Sequence, residues 1–203
     1  MPNITLPDGS VRSYDSPVTA LDIAADISEG LRDSTLGARI NGTLCDATQP
    51  IAEDAEVTLI TARKGEKESH PDALMLIRHS CAHVMAEAIQ RIKPSAQLVY
   101  GPPLETGFYY DISFDSNSPL SSDEFEVIEK EMKSIIDEDR PFTRYELPND
   151  EGLQKLESEG SKYKIDNAQR AIEGGADTLT WYATGTPNEH WEDLCRGPHV
   201  PST

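Results

Sequence analysis

The sequence predicts an α+β protein built in two blocks, and three observations carry that reading. β-Branched runs separated by turn dipeptides dominate residues 1–64. A long stretch from Asp72 to about Lys93 is apolar at helical spacing and stops at Pro94. Beyond it, short strand-like and helix-like patterns follow one another to the end of the chain.

In the first block, Asn3–Leu6, the Asp8-Gly9 turn and Val11–Tyr14 read as strand, turn, strand. Ser16-Pro17 opens a helix whose Ala20, Leu21, Ile23, Ala24 and Ile27 recur at helical spacing. Gly37–Ile40 and Thr43–Cys45 flank Asn41-Gly42, the strongest short hairpin signal, because a type I′ turn needs positive φ at both central residues. Val57–Thr61 is a β-branched closing strand. The order ββαβββ predicts a small sheet grasping one helix. The hydrophilic run Arg63–Ser69 then reads as a linker or exposed turn.

In the second block, the helix over 72–93 gathers Ile77, Cys81, Val84, Met85, Ala88 and Ile92 on one arc. His79 and His83 fall nearly opposite, where they need solvent or a second layer bearing partners. Leu98–Pro103 and Gly107–Ile112 read as strand, loop, strand. Ser122-Asp123 caps a helix with Phe125, Ile128, Met132, Ile135 and Ile136 on its apolar side. A strand over Phe142–Leu147, a short helix over Asp150–Ser158, a Lys-rich strand at Lys162–Ile165, a helical patch near Ala168–Glu173 and a strand around Leu179–Ala183 complete the block.

Charge narrows the partners. With 36 acids against 18 bases the net charge is -18, the wrong sign for binding nucleic acid by broad phosphate neutralisation. Any RNA contact must be local, through a patch such as Arg78, Lys162, Lys164 and Arg196. The three cysteines, Cys45, Cys81 and Cys195, are odd in number and widely spread, which argues for a reducing cytosol over a disulfide scaffold. No apolar run has the length of a membrane span, and the start lacks the features of a signal peptide.

Two pairs at matching spacing carry the chemistry: His79-x-x-x-His83 on the long helix, and Cys195-Arg-Gly-Pro-His199 near the end. An i, i+4 spacing sets both imidazoles on one helix face. Three nitrogens and one sulfur suit a tetrahedral zinc site or a metal-free centre that activates water, and both stay open. No glutamate follows His79 to serve as base, which excludes a metallopeptidase of the HExxH kind.

Arg78–Met85, Gly101-Pro102 with Gly107–Asp111, and Asp193–Pro201 together resemble the bacterial threonyl-tRNA synthetases in their N-terminal region, in register across nearly the whole chain. The resemblance implies a ubiquitin-like β-grasp (TGS) domain over 1–64 and an α+β editing domain of the threonyl/alanyl type over 65–203, shortened at its C-terminal end. It implies an activity, hydrolysis of Ser-tRNA(Thr), with tRNA(Thr) carrying serine at its acceptor end as the partner, in the cytoplasm and away from membranes. A class II core binding ATP, threonine and a zinc, and mediating a homodimer, would follow residue 203, so this segment by itself could not attach threonine.

By that resemblance His79 and His83 are bases, and Lys164 is the catalytic lysine that steadies charge or positions water. Asp193 receives the substrate ammonium, Tyr110 and Gly101 wall the pocket, and Cys195 and His199 hold ligand or water. Zinc on His79, His83, Cys195 and His199 is allowed but not obligatory. Bland readings stand beside these: a surface lysine at 164, an isolated acid at 193, a packing tyrosine at 110 and a simple turn at 101. A binding module without catalysis and a structural zinc domain are the alternatives.

Overall fold

The computed structural model describes residues 1–62 and 70–203, so the linker expected over Arg63–Ser69, and the block boundary within it, lie outside the described residues. The chain forms two compact units, one of residues 1–79 with 197–201, the other of residues 80–196 with 202–203.

The first unit is the sheet that grasps a helix. Its strands are β1 (Asn3–Thr5), β2 (Val11–Ser13), β3 (Thr35–Ile40), β4 (Thr43–Asp46) and β5 (Ala55–Thr61), in the order β2-β1-β5-β3-β4. β1 and β5 run parallel and the remaining pairs are antiparallel. The Asn41-Gly42 hairpin forms as expected, with φ of 48° and 83° at its two central residues. Helix α1 (Ala20–Ile27) lays Ala20, Ile23 and Ala24 on the core. There Ala20 and Ile23 join Ile4, Val18, Ala38, Ile51 and Val57.

The helix opens later than Ser16-Pro17 suggests. Val18 exchanges backbone hydrogen bonds with Ile51, and Thr19 caps. The Thr19 hydroxyl accepts from the Asp22 N–H while Asp22 accepts from the Thr19 N–H at 2.9 Å. This capping box satisfies donors that a helix start leaves open. Ser28 ends α1 and caps a second short helix, α2 (Glu29–Ser34), which the single-helix reading missed.

Helix α3 (Pro71–Ile92) is continuous. In the first unit, its Ala73 and Leu76 pack with Ile60, and Arg39 grips Asp72 at 2.7 and 2.8 Å through two guanidinium nitrogens. Further along, its burial departs from the expected arc. Val84 and Ala88 are buried, but Ile77 is exposed and Cys81, Met85 and Ile92 are half-buried. The face bearing Ser80, His83 and Glu87 is buried instead. Periodicity assigns polar residues to the wet side, whereas here the polar face carries the partners.

The second unit continues with paired short strands: β6 (Gln97–Tyr100) with β9 (Asp111–Ser113), and β7 (Pro103–Leu104) with β8 (Gly107–Phe108). A 3₁₀ turn at Ser122–Glu124, capped by Ser121, leads into α4 (Phe125–Asp137). That helix buries Ile128 and Ile135 but exposes Phe125 and Ile136. A three-stranded antiparallel sheet follows, ordered β10 (Phe142–Pro148), β11 (Thr178–Thr184), β12 (Glu192–Leu194). Helices α5 (Asn149–Ser158) and α6 (Lys162–Glu173) pack on it through Leu156, Ala168, Leu179 and Trp181. The expected strand at Lys162–Ile165 is instead the first turn of α6, entered from Gly160 at φ +67°. Among the described residues no helix is long and apolar enough to cross a membrane.

Thr19's hydrogen bonds, first from its side chain and then from its backbone, hold the Asp22 carboxyl below its ordinary 3.8. A lowered acid contributes stability that is present above its unfolded value and lost as pH falls through the folded one. Thr19→Ala should therefore cost about 1 kcal/mol at neutral pH. Urea midpoints should show that deficit shrinking as pH falls below the ordinary carboxylate range and the folded carboxyl takes up its proton.

Candidate functional site

The second unit buries a lysine and an aspartate together. Lys164 lies on the inner side of α6 with Ala168, and Asp193 is the central residue of β12. They are 6% and 5% exposed. Lys164 Nζ donates to both Asp193 oxygens, at 2.8 and 2.9 Å, and to the Tyr110 hydroxyl oxygen at 3.1 Å. Tyr110 in turn donates to Asp193 Oδ2 at 2.5 Å. Desolvating two ions costs several kcal/mol each, and their attraction offsets this only when further hydrogen bonds satisfy them; Tyr110 supplies those bonds.

Burial pushes the Asp193 carboxyl up. The Lys164 charge, then His83, then the hydrogen bonds from Lys164 and Tyr110 outweigh it and hold the group below its usual value. The Tyr110 phenol sits well above its ordinary value, raised first by burial and then by the Asp193 charge and hydrogen bond. It remains a donor.

Gly101 is glycine because of Tyr110. A Cβ at position 101 would lie 2.5 Å from Tyr110 Cδ2, far inside van der Waals contact. The ring is therefore seated on bare backbone, which places its hydroxyl. Tyr110 itself lies between β8 and β9 and is not in a packing strand. Lys164, expected either in a strand or in a surface patch with Arg78, Lys162 and Arg196, is instead helical and buried, because only burial lets it neutralise Asp193.

His83 is 2% exposed, with Nε2 3.9 Å from Asp193 Oδ2. Its ring meets the Trp191 indole nearly edge-on, centroids 5.4 Å apart at 81°, and tilts at 56° to Phe142 at 6.3 Å. In the first unit His79 stacks on His199, centroids 4.1 Å apart at 26°. His79 Nδ1 is 3.1 Å from the Pro198 carbonyl oxygen. A carbonyl only accepts, so Nδ1 is the donor in this contact. The His199 N–H donates to Asp46 Oδ1 at 2.7 Å, and its ring is 1% exposed. Cys195 is half-buried and follows β12, its N–H donating to the Thr180 carbonyl at 2.9 Å.

The side chains of His79, His83, Cys195 and His199 each offer one atom of a kind that binds metal. Imidazole nitrogens and a thiolate are the donors that zinc takes in tetrahedral sites, so the set is compatible with zinc. Sequence reasoning missed Glu87, Gln90, Arg140 and Trp191, which sit beside this chemistry. Glu87 could have been found: it is the next i+4 step after His79 and His83 on the same helix.

Comparison with known proteins gives two findings. Residues 2–61 match the TGS domain family. Over its full length the chain is similar to proteins described as threonine–tRNA ligase: 43% identical to that of Granulibacter bethesdensis and 41% to those of Hahella chejuensis and Hyphomonas neptunium. It covers 29–30% of the length of these relatives.

Removing the cation while keeping the buried carboxylate tests the polar centre. Lys164→Met should destabilise the protein by about 3–5 kcal/mol, as expected when one partner of a buried pair is lost. Lys164→Met with Asp193→Leu should recover a large share in denaturant melts.

Proposed function

We propose that this chain, which matches the N-terminal region of threonine–tRNA ligases, carries an editing domain over residues 65–203. In this reading it hydrolyses serine from tRNA(Thr) in the cytoplasm, beside a TGS domain at 1–64. Threonine attachment and assembly into a homodimer belong to the remaining length of such enzymes. The observation that carries the reading is the buried Lys164–Asp193–Tyr110 centre with His83 beside it.

The need for such a site follows from selectivity. One methyl group separates threonine from serine, and a binding pocket turns that into only about 1–3 kcal/mol. A second site that excludes the larger amino acid corrects the error.

The chemistry is ester hydrolysis. Water adds to the seryl carbonyl carbon, a tetrahedral oxyanion forms, and the bond to the terminal ribose oxygen breaks as that oxygen gains a proton. An imidazole, His83 or His79, accepts the proton from water and returns it to the leaving oxygen. The serine ammonium competes with Lys164 for the Asp193 carboxylate, which turns the Lys164 charge toward the oxyanion. Tyr110, seated on Gly101 and unable to retreat, is the wall that meets threonine's extra methyl. Cys195 and His199 hold water or ligand. Zinc, if bound by His79, His83, Cys195 and His199, would supply a more acidic water; none of the roles above requires it.

The donor types of His79, His83, Cys195 and His199 also suit a second reading, a zinc that holds the fold. Chelation should then unfold the protein; in the editing reading it leaves the fold intact.

Deacylation of Ser-tRNA(Thr) and Thr-tRNA(Thr) by the 203-residue chain tests the proposal. Serine should be released and threonine retained, and His83→Ala should slow serine release by about a hundredfold or more. Equal rates on both substrates, or an unaffected His83→Ala, would contradict it.

A further inference from the structure

We infer that Trp191, latched by Gln90, is a positioning residue that fixes the plane of the His83 imidazole; this rests on the editing reading. Trp191 lies on the connection from β11 to β12. That connection is closed at its base by the Thr184 N–H, which donates to the Trp191 carbonyl at 2.9 Å. Its indole Nε1–H donates to Gln90 Oε1 at 2.7 Å. The Gln90 amide is itself oriented, because its Nε2 donates to the Ala96 carbonyl at 2.9 Å and so turns Oε1 toward the indole.

Glu87 secures the other end. Buried to 1% exposure, it accepts from the Thr184 hydroxyl at 2.6 Å, from Arg140 at 2.6 Å and from Arg91 at 2.7 Å. Arg140 also donates to the Thr184 carbonyl. Glu87 and Gln90 stand four and seven residues after His83, on the same helix face. One face of α3 therefore carries the histidine together with the two side chains that anchor its aromatic neighbour.

The indole is tied at both its main chain and its ring nitrogen, and meets His83 at 81° with Phe142 on a second side. An imidazole in edge contact with a tethered indole keeps Nε2 toward Asp193. A tryptophan that only filled space would not depend on what its N–H touches, and this difference is testable.

The experiment uses the 203-residue chain and three variants: Gln90→Met, Gln90→Glu and Trp191→Phe. Deacylation of Ser-tRNA(Thr) is resolved into kcat and KM, and the His83 ring protons are followed by NMR. Gln90→Met, which keeps volume but removes the acceptor, and Trp191→Phe, which keeps a ring but removes the donor, should each lower kcat about tenfold or more with little change in KM. A misplacement of 1 Å can cost roughly a hundredfold. Gln90→Glu, which keeps an acceptor, should recover most of the rate. The ring-current displacement of the His83 protons should shrink in Gln90→Met and persist in Gln90→Glu.

Unchanged kcat and unchanged His83 shifts in a folded Gln90→Met protein would overturn the assignment, as would failure of Gln90→Glu to restore either. A wild-type chain that releases no serine would overturn the editing reading alone, and the NMR comparison would still decide the latch.

Discussion

The pairing of Lys164 with Asp193 is the interaction on which the second unit's architecture turns. Neither ion tolerates burial singly, so α6 and β12 must present them to each other. Tyr110 must reach the same point with a proton to give, and Gly101 must lack a side chain so that the tyrosine ring can lie there. Four residues from separate stretches of sequence are thereby set by one electrostatic requirement. The result is a carboxylate already engaged by an ammonium and a phenol, an arrangement suited to exchanging one ammonium for another.

Helix α3 supplies the second requirement, a histidine held in place. Its polar residues recur at 79, 83, 87 and 90, and the face they mark is buried at His83 and Glu87. The buried carboxylate of Glu87 is neutralised by two guanidiniums and accepts from a hydroxyl, so that this stretch of the helix faces a hydrogen-bonded layer and not a hydrocarbon one. Such a layer specifies one geometry, because a displaced member leaves its partners unsatisfied.

Much of this was legible in the residues. The Asn41-Gly42 turn, the β-branched strands and the β-grasp order follow from local rules that the structure obeys. The motifs at 78–85, 101–111 and 193–201 were enough to indicate the family. What local rules could not supply was burial. The helical arc centred on Ile77 and Cys81 treats apolar residues as the inside, yet His83 and Glu87 are more deeply buried than either of those two, because they meet residues about fifty to a hundred and ten positions away. Lys164 looked like a surface strand residue for the same reason: nothing within α6 announces Asp193. Trp191 carried no motif, and its importance rests on a hydrogen bond to a glutamine a hundred and one residues earlier.

The most direct test of the central claim is binding of a non-hydrolysable 3′-amide analogue of seryl-adenosine, beside its threonyl counterpart, followed by NMR at the Lys164 ammonium and by calorimetry. If the Asp193 carboxylate receives the serine ammonium behind a wall set by Tyr110, the seryl compound should perturb the Lys164 signal. The threonyl compound should then bind at least about tenfold more weakly. Equal binding of the two, or seryl binding that leaves Lys164 and Asp193 undisturbed, would contradict it.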